Sequence, residues 1–138
     1  MKYWLIKSEP EAYSFDDLLK DKITEWSGVR NYAARNNLKA MSTGDLALFY
    51  HSVNDKELVG IARVEKEFYP DPTNDTKIEW VCVDFSPVKA LNKKISLAEI
   101  KGNKAFADLE LVTNSRLSVM PVKKSHWDRI LKIADTTL

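Results

Sequence analysis

Apolar and polar positions along this chain fall into short runs whose spacing predicts a succession of elements. Tyr3-Trp4-Leu5-Ile6 opens a strand over residues 3 to 8 that stops at Glu9-Pro10, where proline removes a backbone donor. Ser14-Phe15-Asp16-Asp17 places a capping hydroxyl ahead of acidic residues and predicts a short helix to about Lys20. Ala33, Ala34, Leu38 and Ala40 fit a second helix within residues 30 to 40. After the turn residues Ser42-Thr43-Gly44-Asp45, the run Leu46 to His51 reads as a strand. Leu58, Val59, Ile61, Ala62, Val64 and Phe68 mark another strand over residues 58 to 68, and Gly60 inside it implies a bulge or a close backbone approach. Pro70 to Asp75 is a loop by composition. Ile78 to Val88 alternates around Trp80, Cys82 and Asp84 as a third long strand. Ser96-Leu97-Ala98-Glu99 has the spacing of a capping box. Leu117 to Val122 is a short strand, and Ser125 is placed to cap a last helix carrying Trp127, Ile130, Leu131 and Ile133. Strands in the centre and helices at the periphery predict an α+β domain on a mixed or antiparallel sheet, curled towards a barrel.

Length and charge narrow this picture. A chain of 138 residues without repeat, low-complexity tract or linker is expected to form one domain over residues 1–138. A formal net charge of +1 provides no global field to draw the protein onto nucleic acid, so any such binding must come from a local patch or a shaped pocket. One cysteine, Cys82, allows no internal disulfide and no cysteine-cluster zinc site. The opening apolar run is too short for a signal peptide, and no stretch approaches the roughly 20 apolar residues of a membrane helix. A soluble cytoplasmic protein with no membrane partner is expected.

Catalytic signatures are missing. Two histidines in unrelated contexts make no H-E-x-x-H, and four glycines form neither a P-loop, a dinucleotide fingerprint nor G-x-S-x-G. Cys82 lies mid-strand between Val81 and Val83, the setting of an inert buried thiol. The pair Asp16 and Asp17 is explained by the dipole of the helix it opens. The expectation is a protein that is not an enzyme and uses no cofactor or metal.

The densest polar and aromatic stretch runs from Trp26 to Asn37. If it turns helical after Val29, Tyr32 and Asn36 lie four apart on one face, while Arg35 and Lys39 share another. Such a surface suits a planar heterocycle, stacked on a ring and hydrogen-bonded by amides along its edge. Arg35 and Lys39 could meet a phosphate beside it. The same residues equally describe an amphipathic helix with a solvated polar face and with Trp26 and Tyr32 as core anchors. Lys7-Ser8-Glu9 and Tyr50-His51-Ser52 close two strands, where polar side chains can be aimed into a barrel mouth. His51 beside a turn reads as structural, and His126 reads as a surface residue near the start of the last helix.

Longer motifs add a resemblance. Lys2 to Pro10 (KYWLIKSEP), Trp26 to Asn36 (WSGVRNYAARN), Gly44-Asp45-Leu46 with Phe49-Tyr50-His51-Ser52, Val59 to Ala62, Tyr69 to Thr73 and Arg116 to Val122 follow one another as in EVE domains. These belong to the PUA-like superfamily and are related to YTH domains. The resemblance implies a PUA-like mixed, barrel-like sheet with peripheral helices. It also implies a non-enzymatic reader that accepts a modified nucleobase, such as a modified cytosine in DNA or a modified base in RNA, in an aromatic and polar pocket. Extruding the base costs a few kcal/mol of unstacking, offset by stacking and edge hydrogen bonds in the pocket. By motif position, Trp26, Arg30, Asn31, Tyr32 and Asn36 would line or support that pocket. Lys7, Ser8, Tyr50, His51, Ser52 and Ser118 would contribute from the strand ends. The partner would be DNA or RNA carrying a modified base. Near-neutral charge leaves little general affinity, so a partner protein or effector domain could supply more. The alternative is a sensor that binds a free nucleoside or similar metabolite in the same pocket.

Overall fold

The computed structural model describes residues 1–138. Local chemistry sets several element ends. The Ser14 hydroxyl accepts the Asp17 N–H at 3.1 Å while the Asp17 carboxylate accepts the Ser14 N–H at 2.9 Å, a closed capping box that starts α1 (Phe15–Asp21). Ser96 and Glu99 repeat the device at α3 (Leu97–Lys101). The Asn31 side chain accepts the Ala34 N–H at 2.9 Å and starts α2 (Tyr32–Lys39).

Six strands form one sheet: β1 (Tyr3–Ser8), β2 (Thr24–Glu25), β3 (Leu46–His51), β4 (Glu57–Pro70), β5 (Val81–Ser96) and β6 (Val119–Val122). Their order is β2-β5-β4-β3-β1-β6. β1 runs parallel to β3 and the other pairs are antiparallel, so the sheet is mixed. Repeated register shifts between β4 and β5, and one between β3 and β4, bend these long strands and curl the sheet. The curl stops short of closure, because the edge strands β2 and β6 do not pair with each other. Two further helices, α4 (Glu110–Thr113) and α5 (Lys124–Ile133), and a short 3-10 turn at Lys104–Phe106 complete the fold.

The core is continuous, with 36 buried apolar residues drawn from the sheet and helices. Phe15 of α1 packs edge-on to Phe49, with ring centroids 5.4 Å apart. Gly60 makes that approach possible: a Cβ there would lie 2.5 Å from the Phe15 ring. Both sequence readings of Gly60 therefore hold, since the register also shifts between Leu58 and Gly60. At the opposite end of β1, the buried Asp45 carboxylate accepts the indole N–H of Trp4 (3.1 Å) and the backbone N–H groups of Lys2 (3.1 Å) and Ser42 (3.0 Å). Burial opposes ionisation of this group, but those donors outweigh it and lower its pKa. No helix is long and apolar enough to cross a membrane.

Four expectations need correction. The strand expected at 78 to 88 begins at Val81 and continues to Ser96, because its pairing follows β4 and outlasts its own alternation. β4 itself extends from Glu57 to Pro70. Ser125 lies inside α5, whose N-cap is Lys123 and has no side-chain bond. His126 is buried: its ring lies 5.8 Å from that of Phe106, and its Nε2 is 3.0 Å from Asp108.

Candidate nucleobase pocket

A cavity of about 370 Å³ opens beside the end of β1. It is lined by Ser8, Ala12, Tyr13, Thr24, Glu25, Trp26 and Ser27. That volume falls within the range of small-ligand pockets. Trp26 is seated from below. Its backbone N–H donates to Val83 O at 2.8 Å, and the two residues of β2 before it pair with Phe85 and Asp84. Its indole packs edge-on to Phe49 and Phe85, with centroids 5.5 and 5.6 Å away, and is 8% exposed. Tyr13 forms a second aromatic wall, its ring 6.4 Å from Trp26 and at 87° to it. Tyr13 is itself fixed: Ser8 Oγ–H donates to its carbonyl at 2.6 Å, and its phenol donates to Asp21 Oδ2 at 2.9 Å. Burial, with Asp21 alongside, raises the phenol pKa and keeps it protonated. Two rings at a right angle, with the hydroxyl-bearing residues Thr24 and Ser27 beside them and Ser8 Oγ left as an acceptor, line a space that can take a flat heterocycle and hydrogen-bond its edge.

The segment after Trp26 is held from across the fold. Gly28 adopts φ +83°, a left-handed conformation that favours glycine, and donates its N–H to Asp71 Oδ2 at 2.8 Å. Arg30 Nη1 donates to the same oxygen at 3.0 Å and Nη2 to Thr73 Oγ1 at 3.2 Å. The other Asp71 oxygen accepts the N–H and the hydroxyl of Thr73, both at 2.7 Å. Burial would raise the Asp71 pKa, yet the bonds from Thr73, Gly28 and Arg30 together hold its carboxyl at about 2.

The remaining motif residues do not converge on the cavity. Asn31 spends its side chain on the α2 cap. Tyr32 is exposed and stacks on Trp80. Asn36 accepts two bonds from the Arg35 guanidinium. Arg35 also donates to Glu79 O, and Lys39 pairs with the Glu79 carboxylate at 2.8 Å, lowering the pKa of that acid. Both candidate phosphate ligands thus have partners on the segment before β5.

At the strand ends, Lys7 and Tyr50 are register partners, as are Ser8 and His51. The Lys7 ammonium donates to Ser115 O at 2.8 Å and lies 5.8 Å from the Tyr50 ring centre; burial lowers its pKa and raises that of Tyr50. His51 Nε2 accepts the Phe15 N–H at 3.1 Å, which leaves the ring proton on Nδ1, 3.6 Å from Asp55. His51 therefore pins α1 to β3. Ser52 donates its backbone N–H to Ser8 O at 2.9 Å, and Ser118 O accepts the Lys7 N–H at 3.0 Å. Of the residues expected at the site, Ser8 and Trp26 line the cavity, His51 ties α1 to β3, Arg30 holds the turn after Trp26, and none of the others is in the lining. Tyr13, Thr24 and Ser27 line it without having been read from the sequence. Asp71 was missed too, although Asp71-Pro72-Thr73 carries the residues of an Asx turn.

Cys82 is fully buried, and burial pushes its thiol pKa up. No group of three or more His, Cys, Asp or Glu side chains is arranged to hold a metal ion.

This architecture recurs in known proteins. Mouse thymocyte nuclear protein 1 is 38% identical over 97% of this chain and 74% of its own length. A crystal structure from Agrobacterium tumefaciens superposes with a TM-score of 0.95 at 38% identity, covering 99% of this chain and 94% of that one. The human THYN1 protein, crystallised in complex with 5-methylcytosine-containing DNA, superposes with a TM-score of 0.89 at 32% identity over 100% of both chains. The family model described as the EVE domain matches residues 2–133, and the chain belongs to the EVE domain family.

Proposed function

We propose that this protein binds a modified nucleobase, extruded from a DNA or RNA strand, in the cavity lined by Trp26 and Tyr13, and performs no chemistry on it. The observation that carries this reading is the cavity itself. It has two aromatic walls and, in Ser8, Tyr13, Thr24 and Ser27, four hydroxyl-bearing lining residues, on a family scaffold whose human member has been crystallised with 5-methylcytosine-containing DNA. Stacking is worth roughly 1–3 kcal/mol per base and tolerates any planar ring, so the hydroxyls and the backbone around Ser27 would discriminate between bases. Discrimination against a base lacking the matching donor or acceptor follows from leaving one of these groups unpaired.

A second reading keeps the pocket but makes the ligand a free nucleoside. It is favoured by the pairing of Arg30 with Asp71, and of Arg35 and Lys39 with Glu79, which leaves these cations little to offer a phosphate backbone.

The test is a binding screen of oligonucleotides carrying single modified bases, with the free nucleosides alongside, at low and high salt. A polymer reader binds one modified oligonucleotide more tightly than its unmodified control, with affinity that falls as salt rises. A nucleoside sensor binds the monomer and barely responds to salt. Either activity should disappear in Ala12→Phe, which fills the cavity from its exposed side, and in Trp26→Ala. Equal affinity for all oligonucleotides and none for any nucleoside would sink both readings.

A further inference from the structure

Tyr32 opens α2 with more than half of the residue in water, at 56% exposure, yet its ring is packed on one side. It stacks on Trp80 with centroids 5.3 Å apart and planes at 25°, and Trp80 beneath it is buried. The Arg35 guanidinium lies 5.0 Å from the Tyr32 ring centre and 5.9 Å from that of Trp80, and Arg30 lies 5.7 Å from Trp80. Both arginines are themselves anchored, Arg35 to Glu79 O and Asn36, and Arg30 to Asp71. The result is a braced aromatic pair at the surface, with Arg35 over both rings and Arg30 over Trp80. An ordered ring loses little conformational entropy when covered, and a π-face beside cations favours a planar, electron-rich partner. Because the arginines are already paired, the site offers stacking more than charge.

Its position matters as well. Tyr32 is absent from the cavity lining but follows the rim residue Ser27 by five positions. Five residues reach at most about 18 Å, the length of about five stacked nucleotides on one strand.

We propose that the exposed face of Tyr32, seated on Trp80 and flanked by Arg30 and Arg35, is a second stacking site that takes an unpaired base a few nucleotides from the one held in the cavity. The inference rests on the reading of the cavity as a base pocket. It gives the protein a grip on strand context that does not depend on a general attraction to phosphate. It also makes the preferred polymer one whose bases next to the modification are unpaired or easily unpaired.

The experiment compares wild type, Tyr32→Ala and Tyr32→Phe. The probes are free 5-methyldeoxycytidine, a single-stranded oligonucleotide with one 5-methylcytosine, and copies of that strand with an abasic site at each flanking position in turn. Tyr32→Ala should bind the nucleoside as wild type does and lose roughly tenfold on the intact strand. Tyr32→Phe should keep wild-type affinity on both. An abasic site at the position Tyr32 covers should weaken wild type and abolish its advantage over Tyr32→Ala. Equal affinity of wild type and Tyr32→Ala for the intact strand overturns the second site alone. So does a loss that persists undiminished at every abasic position. Weaker nucleoside binding by Tyr32→Ala places Tyr32 in the pocket and overturns it too. A wild type that binds neither nucleoside nor strand overturns both readings.

Discussion

Arg30 and Asp71, 41 residues apart in the chain, meet at 3.0 Å in an ion pair whose carboxylate is withdrawn from solvent while the guanidinium is one-third exposed. The same Asp71 oxygen takes the Gly28 N–H, so one side chain fixes the whole turn between Trp26 and α2. Replacing Asp71 by Asn would keep the shape but aim an amide N–H₂ or a neutral oxygen at donors. We expect Asp71→Asn to cost about 2–3 kcal/mol in urea unfolding. Ligand affinity should fall with it, because Gly28 and Arg30 lose their common anchor. A variant with unchanged stability would show that the turn is held by other contacts.

The same group sets an acid sensitivity. Its folded-state pKa, about 2, is below the ordinary 3.8, so the stability it contributes is present above pH 4 and is lost as pH falls towards 2. The size is about 2 kcal/mol. Unfolding free energy measured from pH 6 down to pH 2 should therefore decline in wild type. Asp71→Asn should start lower and decline less over that window. Asp45, also shifted downward, contributes to the slope that remains.

Gly60 is required by Phe15. A methyl group at position 60 would meet three ring atoms at 2.5 to 2.6 Å, and the ring is boxed in by Phe49. Gly60→Ala should destabilise the fold by about 1–3 kcal/mol through overpacking. In Phe15→Leu the same substitution should cost measurably less. Equal costs in the two backgrounds would dissociate Gly60 from the Phe15 contact.

Glu79 restrains the cations of α2. It pairs with Lys39 through its carboxylate and receives Arg35 at its carbonyl. Glu79→Gln removes the charge and leaves the carbonyl. Affinity for single-stranded DNA should rise modestly, and the plot of log affinity against log salt should steepen by roughly one unit as Lys39 is freed for a phosphate. An unchanged salt slope would place the strand away from α2.

Cys82 should be silent in binding. Its side chain is fully buried, so thiol reagents should modify the protein only in denaturant. Cys82→Ser should lower stability by about 1–3 kcal/mol, the cost of burying a hydroxyl, with ligand affinity intact. A selective loss of activity in folded Cys82→Ser would point to a chemical role instead.

Features legible in the sequence were those decided within a few residues. The N-cap at Ser14 and the capping box at Ser96 were readable because donor and acceptor are three residues apart. The turn before β3 and the core strands β1 and β3 were readable because glycine and apolar patterning are local properties. Motif identity named both Ser8 and Trp26, 18 positions apart in sequence, which line one cavity in the structure.

Tertiary structure decided what depends on partners far along the chain. β2 is two residues long and is a strand only because β5 lies beside it; β5 runs on to Ser96 because β4 pairs it there. His126 is buried by Phe106 and faces Asp108, neither of which is visible from a position near a helix start. Tyr13 reaches the cavity because the turn after β1 folds back and Ser8 holds it. The helix from Tyr32 to Lys39 was readable, but not the destinations of its side chains. Periodicity says which residues share a face, whereas Asp71, Glu79 and Trp80 determine what each of them touches. The sequence by itself thus determined the family and the caps at Ser14 and Ser96. The packed sheet decided which residues form the pocket, because a cavity's walls come from segments that share no local interaction.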